Sequence, residues 1–479
     1  MPKTKEIHKE SWHKTILTHG KWYMLSSLLT KGINILVLRV YTEYLNPSEY
    51  GILDTLNSIA LFLPFFISLY LDSAFARFYH EYKSDLKKLE QLFSSIFIFV
   101  FFFGSFVTVL VLWFSKYWLN DFLEIPLYPY IYLAFIPPLF HQLGSLGLVF
   151  LRQSLRSKET VLVEIGSILV NLIIALPLLI VFDFGILAKL WGNFSASLAL
   201  FLFYLIFFIR KGLLKLTFSK TLLRESLIYS IPLMPAFLGS WLAGLSDRLV
   251  IAKYTGVEQV GYYAVGLILG KILYMVHDAI TQVIGPISIS GLIDDNQRTK
   301  QKMGTISLII WTYMLLLNLM LYVFSKELIL IFANKAYSNA AFIVPIIGFS
   351  YVLGSQSRIF SSIIMYHKKN WIFSSGGIIQ GLLNLLLNLL FIPIFGYIFA
   401  AYSTVISVLF FTLWILYWSF KIDKFPFNAK KYIISLTLFV LAICTFYLLN
   451  IETLLYKTIY LIPIIMVTNF YYPIKKLLN

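Results

Sequence analysis

The chain has 479 residues, of which 59% are hydrophobic and only 13% are charged. A soluble domain averages about half apolar and a quarter charged residues, so this composition excludes a soluble globular protein and is typical of a helical membrane protein. The net charge of +16 would suggest nucleic-acid binding in a soluble protein. Here the charges lie mainly in short loops between apolar runs, and we expect no nucleic-acid partner.

The sequence offers no residues for a metal or a cofactor. The one cysteine, Cys444, excludes an intrachain disulfide and a metal site built on cysteine. The seven histidines show no metal-ligand spacing, and no GxxxxGK(S/T) motif indicates direct use of ATP. The first 18 residues are polar and basic, with no cleavage site after the next apolar run, so we expect no cleavable signal peptide.

Windows of about 19 residues predict fourteen membrane spans. The first six are 21–43, 52–76, 91–115, 127–150, 161–182 and 189–209. The next six are 227–250, 261–284, 303–325, 340–365, 371–394 and 397–419, and two more follow at 432–451 and 458–474. The uncharged stretch from Asn370 to Phe420 is too long for one span, and Pro393 with Gly396 divides it.

The distribution of basic residues supports this count. If the N-terminus is cytoplasmic, 27 of the 39 lysines and arginines fall in the predicted inside segments and 6 in the outside loops. Such a bias is the positive-inside signature. We therefore predict that both termini are cytoplasmic.

A weak internal repeat indicates two halves. Residues 44–51 (YLNPSEYG) and 254–261 (YTGVEQVG) match in their first and last residues at an offset of 210. Each segment follows the first span of a half, which suits two parallel repeats with substrate bound between them. We predict an all-α membrane protein of about fourteen helices, with two six-helix lobes around a central cavity and two C-terminal helices. The predicted lobes are 1–215 and 216–425, and 426–479 holds the two additional spans.

Charged residues within the spans mark candidate sites, because an ionised side chain at a helix centre costs roughly 2.5–3.5 kcal/mol. Lys31 lies near the middle of the first span, and Lys21 and Arg39 could either line a cavity with it or extend to the two interfaces. Lys271 and Asp278 lie two turns apart, about 10 Å, which is too far for a direct pair.

The other charged residues leave alternatives open. Asp247 and Arg248 could form a structural ion pair or face a cavity. Asp72 and Arg77 lie where the second span ends. The cations outnumber the deep carboxylates, so a cavity lined by them would attract an anion, and a phosphate or diphosphate suits lysine and arginine.

Three segments resemble the bacterial polysaccharide flippases of the multidrug/oligosaccharidyl-lipid/polysaccharide exporter superfamily. They are 230–270, with SIPL, SDR and VGYYA; 44–83, from YLNPSEYGILDT to ARFYHEYK; and 384–407, NLLLNLLFIPIFGYIFAAYSTVIS. The resemblance implies a carrier that moves undecaprenyl-diphosphate-linked oligosaccharide repeat units to the outer leaflet by alternating access, for surface polysaccharide biosynthesis.

That function assigns roles to the charged residues. We expect substrate binding by Lys31, Arg39, Arg77, Arg248 and Lys271, and coupling to H+ or Na+ by Asp72, Asp247 or Asp278. The expected partners are the lipid-linked oligosaccharide, membrane lipids and polysaccharide assembly proteins.

Two other classes remain as alternatives. A multidrug exporter of the same superfamily would prefer acidic cavity residues, in contrast to the excess of deep cations. A membrane glycosyltransferase, polymerase or acyltransferase would need acid and base residues on aqueous loops. The outside loops here are short and carry no such acidic pair, so we do not expect an enzyme.

Overall fold

The computed structural model describes residue 22 and residues 29–123, 128–215, 217–278, 297–423, 428–451 and 453–471. The regular structure of these residues is helical, and eleven helical segments within them, some made of two consecutive helices, are long and apolar enough to cross a membrane. The prediction of an all-α membrane protein is therefore confirmed. The count of fourteen spans stays a prediction, because parts of the first, eighth and last predicted spans lie outside the described residues, as does Lys21.

Two compact units make up the chain. Unit 1 comprises Met1–Val37 and Tyr44–Phe237, and unit 2 comprises Leu38–Glu43 and Leu238–Asn479. The predicted lobe boundaries at residues 215 and 425 stay predictions.

Unit 1 is built from ten helices in its described part, of which α1 also contributes to unit 2. They are α1 (29–44), α2 (Pro47–Ala60), α3 (Leu63–Ser68), α4 (Leu71–Tyr82), α5 (Leu86–Leu123), α6 (Tyr130–Phe135), α7 (Pro137–Gln153), α8 (Ser157–Ile180), α9 (Ile186–Arg210) and α10 (Lys220–Ser230). Helix α9 packs on α7 and α8, while α10 packs on α4 and α5. Small residues permit the closest approach, and Gly144 and Gly147 of α7 lie directly against Leu200 and Tyr204 of α9.

A 3-10 turn, Ile231–Leu233, leads into the helices of unit 2. Its described helices are α11 (Met234–Thr255), α12 (Val257–Gly270), α13 (272–278), α14 (Gln297–Val323), α15 (Ser325–Phe332), the 3-10 helix Lys335–Phe342, α16 (Ile343–Tyr366), α17 (Asn370–Phe395), α18 (Ile398–Ile422), α19 (Ala429–Leu448) and α20 (Leu454–Tyr471). Helix α16 is the central element, since it packs on α12, α14 and α18. The division predicted at Pro393 and Gly396 is confirmed, because α17 ends at Phe395.

The internal repeat has a structural counterpart. Helix α2 begins at Pro47 after the N-cap Asn46, and α12 begins at Val257 after the N-cap Gly256, again at an offset of 210. Gly185 before α9 and Gly396 before α18 both adopt positive φ, 52° and 78°. A glycine tolerates this conformation without steric cost, so each joins two long helices by a tight connection.

A series of buried hydrogen bonds between polar side chains joins α17 and α18 in unit 2. Asn388 Nδ2 donates to Asn384 Oδ1 at 3.1 Å, and Ser403 Oγ donates to Asn388 Oδ1. All three side chains are buried. Such hydrogen bonds between helices are typical of membrane proteins, because lipid provides no alternative partners.

Candidate substrate and ion-coupling sites

Asp72 lies where the second predicted span is interrupted. Helix α3 ends at Ser68, and Leu69 and Tyr70 adopt left-handed conformations with φ of 48° and 62°. Asp72 then falls in the first turn of α4, where the helix dipole favours a carboxylate. Gln142 Nε2 donates to Asp72 Oδ1 at 3.0 Å, and Ser68 Oγ lies 3.4 Å from the same atom. Interrupted helices of this kind provide ion sites in transporters.

Two of the predicted substrate-binding cations belong to unit 1. Lys31 is half-buried on α1, and Arg77 is exposed on α4. The guanidinium carbon of Arg77 lies 4.6 Å from the centre of the Tyr229 ring and 5.5 Å from that of Phe78. A cation–π contact uses none of the N–H donors of the guanidinium. Arg77 is therefore held in place with donors that an anion can bind.

Arg39 contacts the end of α15 within unit 2. Its Nη1 donates to the carbonyl oxygens of Leu330, at 3.2 Å, and Ala333, and its Nη2 lies 3.0 Å from Glu43 Oε2. Carbonyls at a helix C-terminus lack partners within the helix, so a basic side chain stabilises them.

Asp247 and Arg248 form a buried ion pair on α11. Arg248 Nη1 lies 2.8 Å from Asp247 Oδ1 and also donates to the carbonyl oxygen of Gly244 at 2.6 Å. The Tyr263 hydroxyl of α12 donates to Asp247 Oδ2. The two charged residues are 2% and 3% exposed. This geometry is that of a structural ion pair, which is one of the two alternatives that the sequence left open.

A second ion pair in unit 2 joins α13 to α16. Arg358 Nη1 lies 3.3 Å from Asp278 Oδ1, and Arg358 Nη2 is 3.2 Å from the Tyr274 hydroxyl. The Arg358 side chain is 45% exposed, so this pair is accessible, unlike the one on α11. Lys271 is exposed at the C-cap of α12, seven residues before Asp278.

Three residues at these sites were not predicted. Arg358 was not assigned a role, although its position in an apolar helix was the signal for one. Tyr263 lies in the VGYYA motif of the predicted resemblance. Gln142 gave no signal, because a glutamine in an apolar helix commonly serves only to join helices.

Among the residues that the structure describes, no group of three or more histidine, cysteine, aspartate or glutamate side chains could hold a metal ion.

Eleven segments of membrane-spanning length define a polytopic membrane protein. A family model described as "Polysaccharide biosynthesis protein" matches residues 42–342. The chain belongs to this family, and the resemblance predicted from its sequence motifs is confirmed. No curated protein sequence matches the chain.

Several solved structures share the fold. "Lipid II flippase MurJ, inward closed conformation" is 16% identical with a TM-score of 0.72, and the match covers 97% of this chain and 100% of that one. An inward-facing multidrug resistance MATE family transporter of the MOP superfamily is 14% identical, with a TM-score of 0.62 and coverages of 81% and 92%. A variant of the Vibrio cholerae MATE transporter VcmN is 13% identical, with a TM-score of 0.53 and coverages of 87% and 96%. At these identities the likeness describes the fold.

Proposed function

We propose that this protein is a flippase for lipid-linked oligosaccharides. It moves undecaprenyl-diphosphate-linked repeat units from the cytoplasmic to the outer leaflet of a bacterial inner membrane by alternating access, for surface polysaccharide biosynthesis. The observation that carries the proposal is the family match over residues 42–342 of a helical membrane protein. The fold similarity to a lipid II flippase supports it.

The diphosphate is the part of such a substrate that most requires contacts with the protein during transport, because a charged group is costly to transfer into lipid. Lys31, Arg77 and Lys271 are the proposed direct contacts, since each has an exposed or half-buried side chain. Arg39 and Arg248 are committed to a helix end and to Asp247 in this structure. We propose that these two reach the substrate only in another state of the transport cycle.

The membrane potential and a gradient of H+ or Na+ could each drive transport. A headgroup of about two negative charges moving outward would gain about 2.3 kcal/mol per charge for each 100 mV of inside-negative potential. Asp72 is the favoured coupling residue for H+ or Na+, because it lies at a helix interruption beside Gln142. Asp278 is the second choice, since it is partly accessible, and Asp247 the third.

A multidrug exporter is the second candidate, and the similarity to MATE transporters favours it. A cationic drug would require acidic groups without basic partners. Of the three candidate aspartates, Asp247 and Asp278 are each paired with an arginine, and Asp72 is bonded to Gln142 and Ser68. Two of the three acidic groups therefore have a basic partner, which favours an anionic substrate over a cationic drug.

The experiment is a gene deletion complemented with variants in the native host. We expect the deletion to accumulate a lipid-linked oligosaccharide on the cytoplasmic side, and Lys31→Ala to restore export poorly at matched protein level. Lys31→Arg, which keeps the charge, should restore export. Lys116→Ala is the matched control, because Lys116 is an exposed lysine of α5 with no proposed role. Normal export by Lys31→Ala would remove Lys31 from the proposal, and unchanged lipid-linked pools in the deletion would contradict the function itself.

A further inference from the structure

Unit 2 contains a large groove that the proposed transport function does not use. Helices α14, α16, α18 and α19 line it, together with α15, the 3-10 helix Lys335–Phe342 and Lys457 of α20. Helix α16 packs on α14 and α18, and α19 packs on α14. The groove has a volume of about 1230 Å³, above the roughly 300–1,000 Å³ of most small-molecule pockets. We call it the outer groove.

The length of the outer groove along α19 is close to the thickness of one leaflet. Its lining on α19 runs from Leu436 to Tyr447, which is about 16 Å at 1.5 Å per residue. Half of a bilayer core of about 30 Å is close to this length. Phe349 of α16 and Tyr402 of α18 continue the apolar lining. An extended acyl chain of one leaflet therefore matches the groove in length and polarity.

Basic residues outnumber acidic residues in the lining of the outer groove. Its lining includes Lys326, Lys335 and Lys457 but only one acidic residue, Glu327. Lys457 Nζ of α20 lies 2.7 Å from Glu327 Oε1 of α15, so this pair joins the two helices. The side chains of Lys326 and Lys335 are exposed.

This concentration is unusual for the predicted outer side. The positive-inside rule depletes outside loops of lysine and arginine, and the sequence has only six basic residues in them. Half of the six line this one groove. Lys326 and Lys335 belong to one predicted outside loop and Lys457 to another, so the fold brings basic residues of two loops to the same groove.

We propose that the outer groove binds one anionic phospholipid of the outer leaflet, with its phosphate at Lys326 and Lys335 and one acyl chain along α19. Lipid tails are as apolar as the groove lining, so burying the chain gives little preference over the bilayer. The lysines therefore supply the selectivity. The one-leaflet depth favours an acyl chain over the longer polyprenyl chain of a lipid-linked oligosaccharide.

The test is native mass spectrometry of the purified full-length protein with added phosphatidylglycerol or phosphatidylethanolamine of identical acyl chains. We expect preferential retention of phosphatidylglycerol. Lys326→Gln with Lys335→Gln should weaken it about 30-fold, from about 1 kcal/mol per lysine near an anionic headgroup. Lys116→Gln with Lys253→Gln removes two exposed lysines outside the groove and should leave retention unchanged.

A second pair of variants tests the proposed binding of the acyl chain. Val440 lines the groove and the adjacent Leu441 does not. The two residues are similarly exposed, at 49% and 53%. Val440→Trp should reduce retention of phosphatidylglycerol, and Leu441→Trp should not. Equal retention by the two tryptophan variants would overturn the proposal, as would equal binding of the two phospholipids. Displacement of phosphatidylglycerol by equimolar polyprenyl phosphate would identify a different occupant and also overturn it.

Discussion

The buried pair Asp247–Arg248 shows how strongly context decides the role of a charged residue. Both side chains lie on consecutive residues of α11 and are almost inaccessible. Each also has a further partner, Tyr263 for the aspartate and the Gly244 carbonyl for the arginine. A buried pair adds little net stability, but removing one member leaves an uncompensated charge.

We therefore expect Arg248→Met to destabilise the protein by about 3–5 kcal/mol. The double variant Asp247→Asn with Arg248→Met should recover most of that loss, because no charge then remains buried. Thermal unfolding of the purified protein in detergent measures both effects. A stable Arg248→Met variant that nevertheless fails to transport would show that Arg248 serves the substrate instead of the pair.

Asp72 is expected to act through its charge. Asn preserves the size of the side chain and an oxygen acceptor for Gln142 Nε2, so Asp72→Asn should fold normally. We expect its rate of transport under an imposed proton or sodium gradient to be at least tenfold lower than that of the wild-type protein. Asp85→Asn is the control, because Asp85 caps the backbone at Lys88 and asparagine caps equally well. Gradient-driven transport at the normal rate in Asp72→Asn would exclude Asp72 from coupling.

At the scale of the element, the second predicted span differs most from the sequence expectation. The apolar run at 52–76 predicts one helix, but the structure has parts of three, separated near Leu61 and at Leu69 and Tyr70. Pro64 lies in the first turn of α3, where its missing N–H costs nothing. Hydropathy could not reveal the second break, because left-handed leucine and tyrosine depend on the packing around them.

Helix packing in unit 1 gives a prediction with an internal control. A Cβ at Gly147 would overlap the Tyr204 ring, whereas a Cβ at Gly166 would meet no atom within 4 Å. Alanine increases helix propensity equally at both positions. We expect Gly147→Ala to destabilise by about 1–3 kcal/mol through overpacking and Gly166→Ala to be neutral or stabilising. Thermal unfolding of the two purified variants measures both effects. Equal stabilities of the two variants would contradict the close packing of α7 on α9.

At the scale of the whole molecule, the sequence predicted the class of fold and the positions of most helices. Apolar runs and loop charges are local properties, so they can be read directly from the chain. The partners of the charged residues could not be predicted, because Arg358 and Asp278 are 80 residues apart, and Lys457 and Glu327 are 130 apart. Only the ion pair of adjacent residues, Asp247–Arg248, was anticipated.

The orientation in the membrane is a prediction for the entire chain. In a Cys444→Ala background, we expect Lys116→Cys to react with a membrane-impermeant maleimide added to intact spheroplasts. Lys87→Cys should react only after the membrane is permeabilised, because it belongs to a predicted cytoplasmic segment. Both lysines are exposed, so accessibility is matched. The reverse labelling pattern would invert the topology inferred from the basic residues.

We propose that basic residues of the helical bundle bind the diphosphate headgroup as it crosses the membrane. The most direct measurement is flipping in proteoliposomes, with a fluorescent undecaprenyl-diphosphate oligosaccharide and a neutral glycolipid with the same glycan and tail. We expect the wild-type protein to flip only the diphosphate lipid, and Lys31→Ala to slow this flipping at least tenfold. Flipping of both lipids at the same rate, or an unchanged rate in Lys31→Ala, would contradict the account.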